Sequence, residues 1–83
     1  MVLITGATGL VGAHLALRLL ESNQNVRAIF RSNSSVSKTK ALFSKYHKQN
    51  LFEQIEWVQA DLSDLPQLET AFEGITQVYH CAG

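Results

Sequence analysis

Short apolar runs and longer amphipathic stretches alternate along this chain, and their spacing separates strands from helices. Val2–Thr5 is apolar and stops at Gly6, which suits a buried strand. From Leu10 to Ser22 apolar residues are dense. The polar ones, His14, Arg18, Glu21 and Ser22, fall on one narrow stripe, as on a helix buried over most of its surface. Val26–Phe30 reads as a second strand and the Ser/Asn cluster Ser32–Ser35 as a loop. A second helix is expected from Ser37 to about Gln49, with Ala41, Leu42 and Tyr46 on its apolar side and the lysines largely opposite. Ile55–Ala60 reads as a third strand. Asp64, followed three residues on by Gln67, fits a capping box, with Pro66 in the first turn where a missing N–H costs nothing. That helix is expected to end at Gly74, and Thr76–Cys81 to form a fourth strand. The order β-α-β-α-β-α-β predicts an α/β fold with a parallel sheet, three helices and right-handed crossovers.

Composition narrows the function classes. Of 83 residues, 46% are hydrophobic and 17% charged, the balance of a globular chain rather than a disordered one. A single cysteine, Cys81, excludes an internal disulfide and an all-cysteine metal site. No stretch approaches the ~20 apolar residues of a membrane span, so a soluble, cytoplasmic protein is expected. The net charge is zero, yet it is divided. Residues 22–52 hold Arg27, Arg31, Lys38, Lys40, Lys45 and Lys48 without an acid; residues 53–83 hold six acids without Lys or Arg. Such asymmetry marks either an anion site near the basic stretch or two oppositely charged solvated faces. Six basic residues in this stretch give little support by themselves to nucleic-acid binding.

The chemistry concentrates where the first strand runs through TGATGLVG into the first helix. Gly6 allows a sharp turn, Gly9 removes a Cβ where a diphosphate would approach, and Gly12 lets the helix pack closely. The free N–H groups around Leu10 and Val11, with the positive end of the helix dipole, then face the anion. No Gly-Lys-Ser/Thr follows, so this is not a P-loop.

With Thr8 where the common dehydrogenase fingerprint has its second glycine, the motif resembles the short-chain dehydrogenase/reductase superfamily. TGATGLVG before a long apolar helix is similar to its extended branch of epimerases, dehydratases and dihydroflavonol-reductase-like enzymes. VRAIFRS (Val26–Ser32), ADLSD (Ala60–Asp64) and VYHCAG (Val78–Gly83) agree in order and position. The resemblance implies the N-terminal half of an NAD(P)-binding Rossmann fold with strand order 3-2-1-4. It further implies that Asp61 and Leu62 abut the adenine. The backbone of Cys81, Ala82 and Gly83 would lie along the ribose and nicotinamide side.

Folds that choose NAD usually place an acid at the end of the second strand. Here that position is Phe30, followed by Arg31, whose planar fork suits a 2′-phosphate. NADP(H) is therefore expected in preference to NAD(H). His80 reads more readily as a satisfied strand histidine than as a catalytic one, and Cys81 as a small hydrophobe. His14 and His47 have no partners at metal-ligand spacing.

The family's chemistry resembles tyrosine proton transfer assisted by a lysine four residues later. Here Tyr46 is followed by Asn50 and Tyr79 by Gly83 at that distance, so no Tyr-x-x-x-Lys occurs. Residues 1–83 are thus expected to be a cofactor-binding piece, roughly a quarter of an extended enzyme, inactive as it stands. The alternative is a non-catalytic dinucleotide-binding or redox-sensing module. With one sheet face thinly covered and the fourth strand at an edge, self-association is expected.

Overall fold

The computed structural model describes residues 1–30, 33–61 and 63–81, with the side chains of 33–35 left aside. The elements are β1 (Val2–Thr5), α1 (Leu10–Glu21), β2 (Val26–Phe30), α2 (Asn33–Lys45), α3 (Gln49–Phe52), β3 (Glu56–Gln59), α4 (Leu65–Ala71) and β4 (Gln77–His80). All strand pairs are parallel, in the order β3-β2-β1-β4, which is the 3-2-1-4 arrangement expected. Val2 aligns with Val26 on one side and Gln77 on the other, and Arg27 aligns with Glu56.

β1 is apolar and fully buried along its length because it is interior to the sheet and both of its faces are covered. On one face Val2, Ile4, Val26 and Ala28 pack with Ala16, Leu17 and Leu20 of α1 and Phe43 of α2. On the other, Leu3 and Ile29 meet Ala60 and Ala71, with Val58, Leu68 and Ile75 beside them. α1 and α2 therefore share one face, and α4 alone serves the other.

Helix ends follow local chemistry. After α1, Asn23 adopts a left-handed conformation (φ 64°); its own N–H bonds back to the Leu20 carbonyl and that of Gln24 to the Leu19 carbonyl. At the start of α4, the Asp64 carboxylate accepts the Gln67 N–H at 3.2 Å, as the capping pattern predicts. The reciprocal half of the box is different. Gln67 Oε1 accepts the N–H of Asp61 at 2.8 Å, because Asp64 N–H already donates to the Asp61 carbonyl. Gly74, at φ 75°, reverses the chain after α4.

Three expectations are corrected. Among the described residues there are four helices rather than three, because His47 takes a left-handed conformation (φ 57°) and ends the α2 segment before the single turn of α3. That break turns Phe52 back toward the core, where its ring meets Phe43 at 5.7 Å and Trp57 at 6.0 Å. The expected Ser/Asn loop is mostly helix, since α2 begins at Asn33. Thirdly, the core side of α2 is Thr39 and Phe43, one turn apart and both fully buried, while Ala41 and Tyr46 are exposed. Counting apolar residues missed a threonine whose hydroxyl has a partner inside.

Candidate functional site at the C-terminal edge of the sheet

The parallel strands deliver their C-terminal ends to one edge, and β1 lies beside β4 where the strand order reverses. Gly6, at φ 79°, bends the chain out of β1. A Cβ there would lie 1.7 Å from the Cys81 carbonyl oxygen, while Cys81 N–H donates to the Thr5 carbonyl at 2.9 Å. Gly6 is thus required twice, for its turn and for contact with the β4 end. The second requirement is invisible in the motif itself. A Cβ on Gly12 would come within 2.2 Å of the Gly6 carbonyl oxygen, so helix and turn touch backbone to backbone.

The turn closes through a 3.0 Å bond from Gly9 N–H to the Gly6 carbonyl. Gly9 then stands at the helix N-cap in extended conformation (φ −83°, ψ 167°) and brings no side-chain cap. The N–H groups of Leu10, Val11 and Gly12 precede the first helical bond, from Ala13 N–H to the Gly9 carbonyl, and have no acceptor within the helix. Leu10 and Val11 are 71% and 70% exposed, which leaves this helix end open. An uncapped end with no Cβ over it and the positive end of the dipole is suited to a phosphate.

Beside the turn, a cleft of about 350 Å³ is lined by Thr8, Gly9 and Leu10 on one side and Lys38, Thr39 and Leu42 on the other. Lys38 is a residue that the motif reading did not select; its only signal was membership of the basic stretch. A second cleft, of about 310 Å³, lies at the end of β3 between Gln59, Ala60, Asp61 and Gln67. There the Asp61 carboxylate accepts from both Ser63 N–H (2.9 Å) and Ser63 Oγ (2.8 Å), which ties it into its own turn. Arg31, Leu62, Ala82 and Gly83 lie outside the described residues.

His80 is satisfied as expected, its Nδ1 paired with Thr5 Oγ1 at 2.5 Å across the β1–β4 pair, but it is exposed rather than part of the core. Cys81 packs against the larger core as a small hydrophobe. No helix among the described residues is long and apolar enough to cross a membrane.

The family profile described as GDP-mannose 4,6 dehydratase matches residues 3–83. The chain belongs to this family. It is 37% identical over 81 residues to dihydroflavonol 4-reductase of Zea mays, an alignment covering 98% of this chain and 22% of that protein. Sterol demethylase protein B of Methylococcus capsulatus is 35% identical over 80 residues, covering 96% of this chain and 21% of its own length. Among solved structures, vestitone reductase from alfalfa superposes with a TM-score of 0.73 at 29% identity, across 99% of this chain and 24% of that one. The likeness to the reductase and epimerase/dehydratase branch therefore extends over the whole chain, and the fold is the Rossmann fold of these reductases. The chain spans about a fifth of the length of the curated relatives it matches.

Proposed function

We propose that this chain is the dinucleotide-binding part of an NAD(P)-dependent reductase or epimerase/dehydratase. The observation that carries the reading is the uncapped turn Gly6–Gly12 at the start of α1, with glycine at positions 6, 9 and 12. Nicotinamide dinucleotides present a diphosphate, and the residues here fit one: backbone N–H groups at Leu10 and Val11 would hold it, with Gly9 admitting it closely. Asp61 and Leu62 would meet the adenine, and Cys81, Ala82 and Gly83 the ribose and nicotinamide side. When bound, the dinucleotide would supply the hydride. The residues of this chain bind and orient it.

The 2′-phosphate of NADP(H) suits the basic side of the site. No acid occurs between residues 22 and 52, Arg31 follows β2, and Lys38 lines the cleft beside Thr8. The names of the relatives favour a reductase over an epimerase as the activity of the full enzyme. β4 stands at the edge of the sheet with Val78 47% exposed, and a second copy of the chain is the partner proposed to pair there.

Calorimetric titration of the chain with NADPH and NADH tests this. The expected result is binding of both, with NADPH tighter by about tenfold, equivalent to about 1.4 kcal/mol. Equal affinities would remove the NADP preference. A folded chain that binds neither would overturn the reading. Light scattering of the same sample at micromolar concentration is expected to show a dimer, and a uniform monomer would exclude the pairing.

A further inference from the structure

Thr39 is an anomaly in the core. It is polar, 1% exposed, and occupies a helix position one turn before the fully buried Phe43. Its hydroxyl donates to the carbonyl of Ala7 at 3.0 Å, and Ala7 is itself fully buried in the glycine turn. The bond joins α2 to the middle of TGATGLVG, 32 residues away in sequence. Ala7 and Thr8 lie between the two ends of the Gly9-to-Gly6 bond, so the Thr39 bond falls inside the loop that this bond closes.

We infer that Thr39 is a positioning residue for the phosphate-binding turn: its buried hydroxyl fixes the plane of the Ala7–Thr8 peptide. The described backbone contains no cis peptide bond, so the carbonyl of Ala7 and the N–H of Thr8 point in opposite directions. Holding the carbonyl toward α2 turns the Thr8 N–H away from it. The same constraint keeps the turn in the conformation that closes the Gly9-to-Gly6 bond before any ligand arrives. Without the hydroxyl, the carbonyl of fully buried Ala7 loses this donor, which favours rotation of that peptide toward water. A turn that must reorganise on binding loses affinity for the anion it would otherwise meet preformed. The same helix carries Lys38, so the bond also fixes the distance between the turn and the basic wall of its cleft.

This inference rests on the dinucleotide reading for its effect on affinity, and a second readout separates the two. Thr39→Val and Thr39→Ser are compared with the unaltered chain by amide hydrogen exchange without ligand and by NADPH titration. For Thr39→Val, the Gly9 amide is expected to exchange faster while those of Leu3 and Ile4 keep their protection. NADPH affinity is expected to fall about tenfold, the effect of losing one buried hydrogen bond. Thr39→Ser is expected to restore both. Unchanged Gly9 exchange in a folded Thr39→Val chain would overturn the inference. If the unaltered chain binds no NADPH, the dinucleotide reading fails, and Gly9 exchange alone decides the role of Thr39. Should Thr39→Val not fold, Thr39→Ala removes the hydroxyl without adding bulk and takes its place.

Discussion

The two faces of the sheet are held by different physics. The α1–α2 face is built from large apolar contacts: Leu17, Leu20 and Phe43 against Val2, Ile4, Val26 and Ala28, with the Phe43–Phe52–Trp57 rings closing one side. The α4 face has little comparable to offer. Its fully buried residues among those described are Leu3, Ile29, Ala60 and Ala71, and Leu65 at the start of α4 is 70% exposed. What holds α4 in place is polar. Arg27 rises from β2 on that face, and its Nη1 donates to the carbonyls of Ala71 (2.8 Å) and Glu73 (2.6 Å) at the C-terminal end of α4. There the negative end of the helix dipole adds to the attraction. Its Nε lies 3.3 Å from Glu56 on β3, so one guanidinium links two strands and a helix. A seven-residue helix with a narrow apolar stripe cannot be docked by area alone, and a cation on its last carbonyls supplies the difference.

Three substitutions test that division. Phe43→Ala has the largest expected effect, a loss of about 3–5 kcal/mol, because a fully buried ring leaves a cavity at the centre of the apolar face. For a chain this small, that loss is expected to abolish cooperative unfolding at 25 °C, read by circular dichroism. Retention of a sharp melt within a few degrees of the original would show that this face is not the main source of stability.

Arg27→Met keeps the aliphatic stem but leaves two carbonyls without their cationic donor. The expected cost is about 2 kcal/mol, and it falls locally. The amides of Leu68 and Phe72 should lose exchange protection while those of Leu17 and Leu20 keep theirs. A uniform loss across both helices would mean that the faces unfold as one unit.

Asp64→Ala has the smallest expected effect, about 1 kcal/mol, by removing the acceptor of the Gln67 N–H at the other end of α4. Here the distinction to read by hydrogen exchange is loss of protection confined to the Gln67 amide against release of the whole helix. Release would show that Arg27 alone does not dock α4.

Much of this arrangement was legible before any coordinate. The four strands announce themselves as short apolar runs bounded by Gly, Asn and polar clusters, and α1 by its single polar stripe. The glycine turn was legible because its constraints are local: a positive φ at Gly6 and a close approach at Gly12 leave only one residue type. The cap at Asp64 was legible for the same reason, since donor and acceptor are three residues apart.

The errors share a different property. Thr39 carries no local signal for burial, because the acceptor that permits it is 32 residues away. Arg27 looked like one more cation of the basic stretch, although its partners on α4 are 44 and 46 residues distant. The break at His47 had no glycine to mark it, and its benefit, the return of Phe52 to the core, exists only once β3 is in place.

The amino-acid sequence by itself thus determined the four strands, the parallel sheet and the glycine turn, because periodicity, caps and glycine positions act over a few residues. Only the tertiary structure decided which polar side chains were to be buried. A hydroxyl or guanidinium enters the interior only where an acceptor waits, and such acceptors are brought into reach by folding.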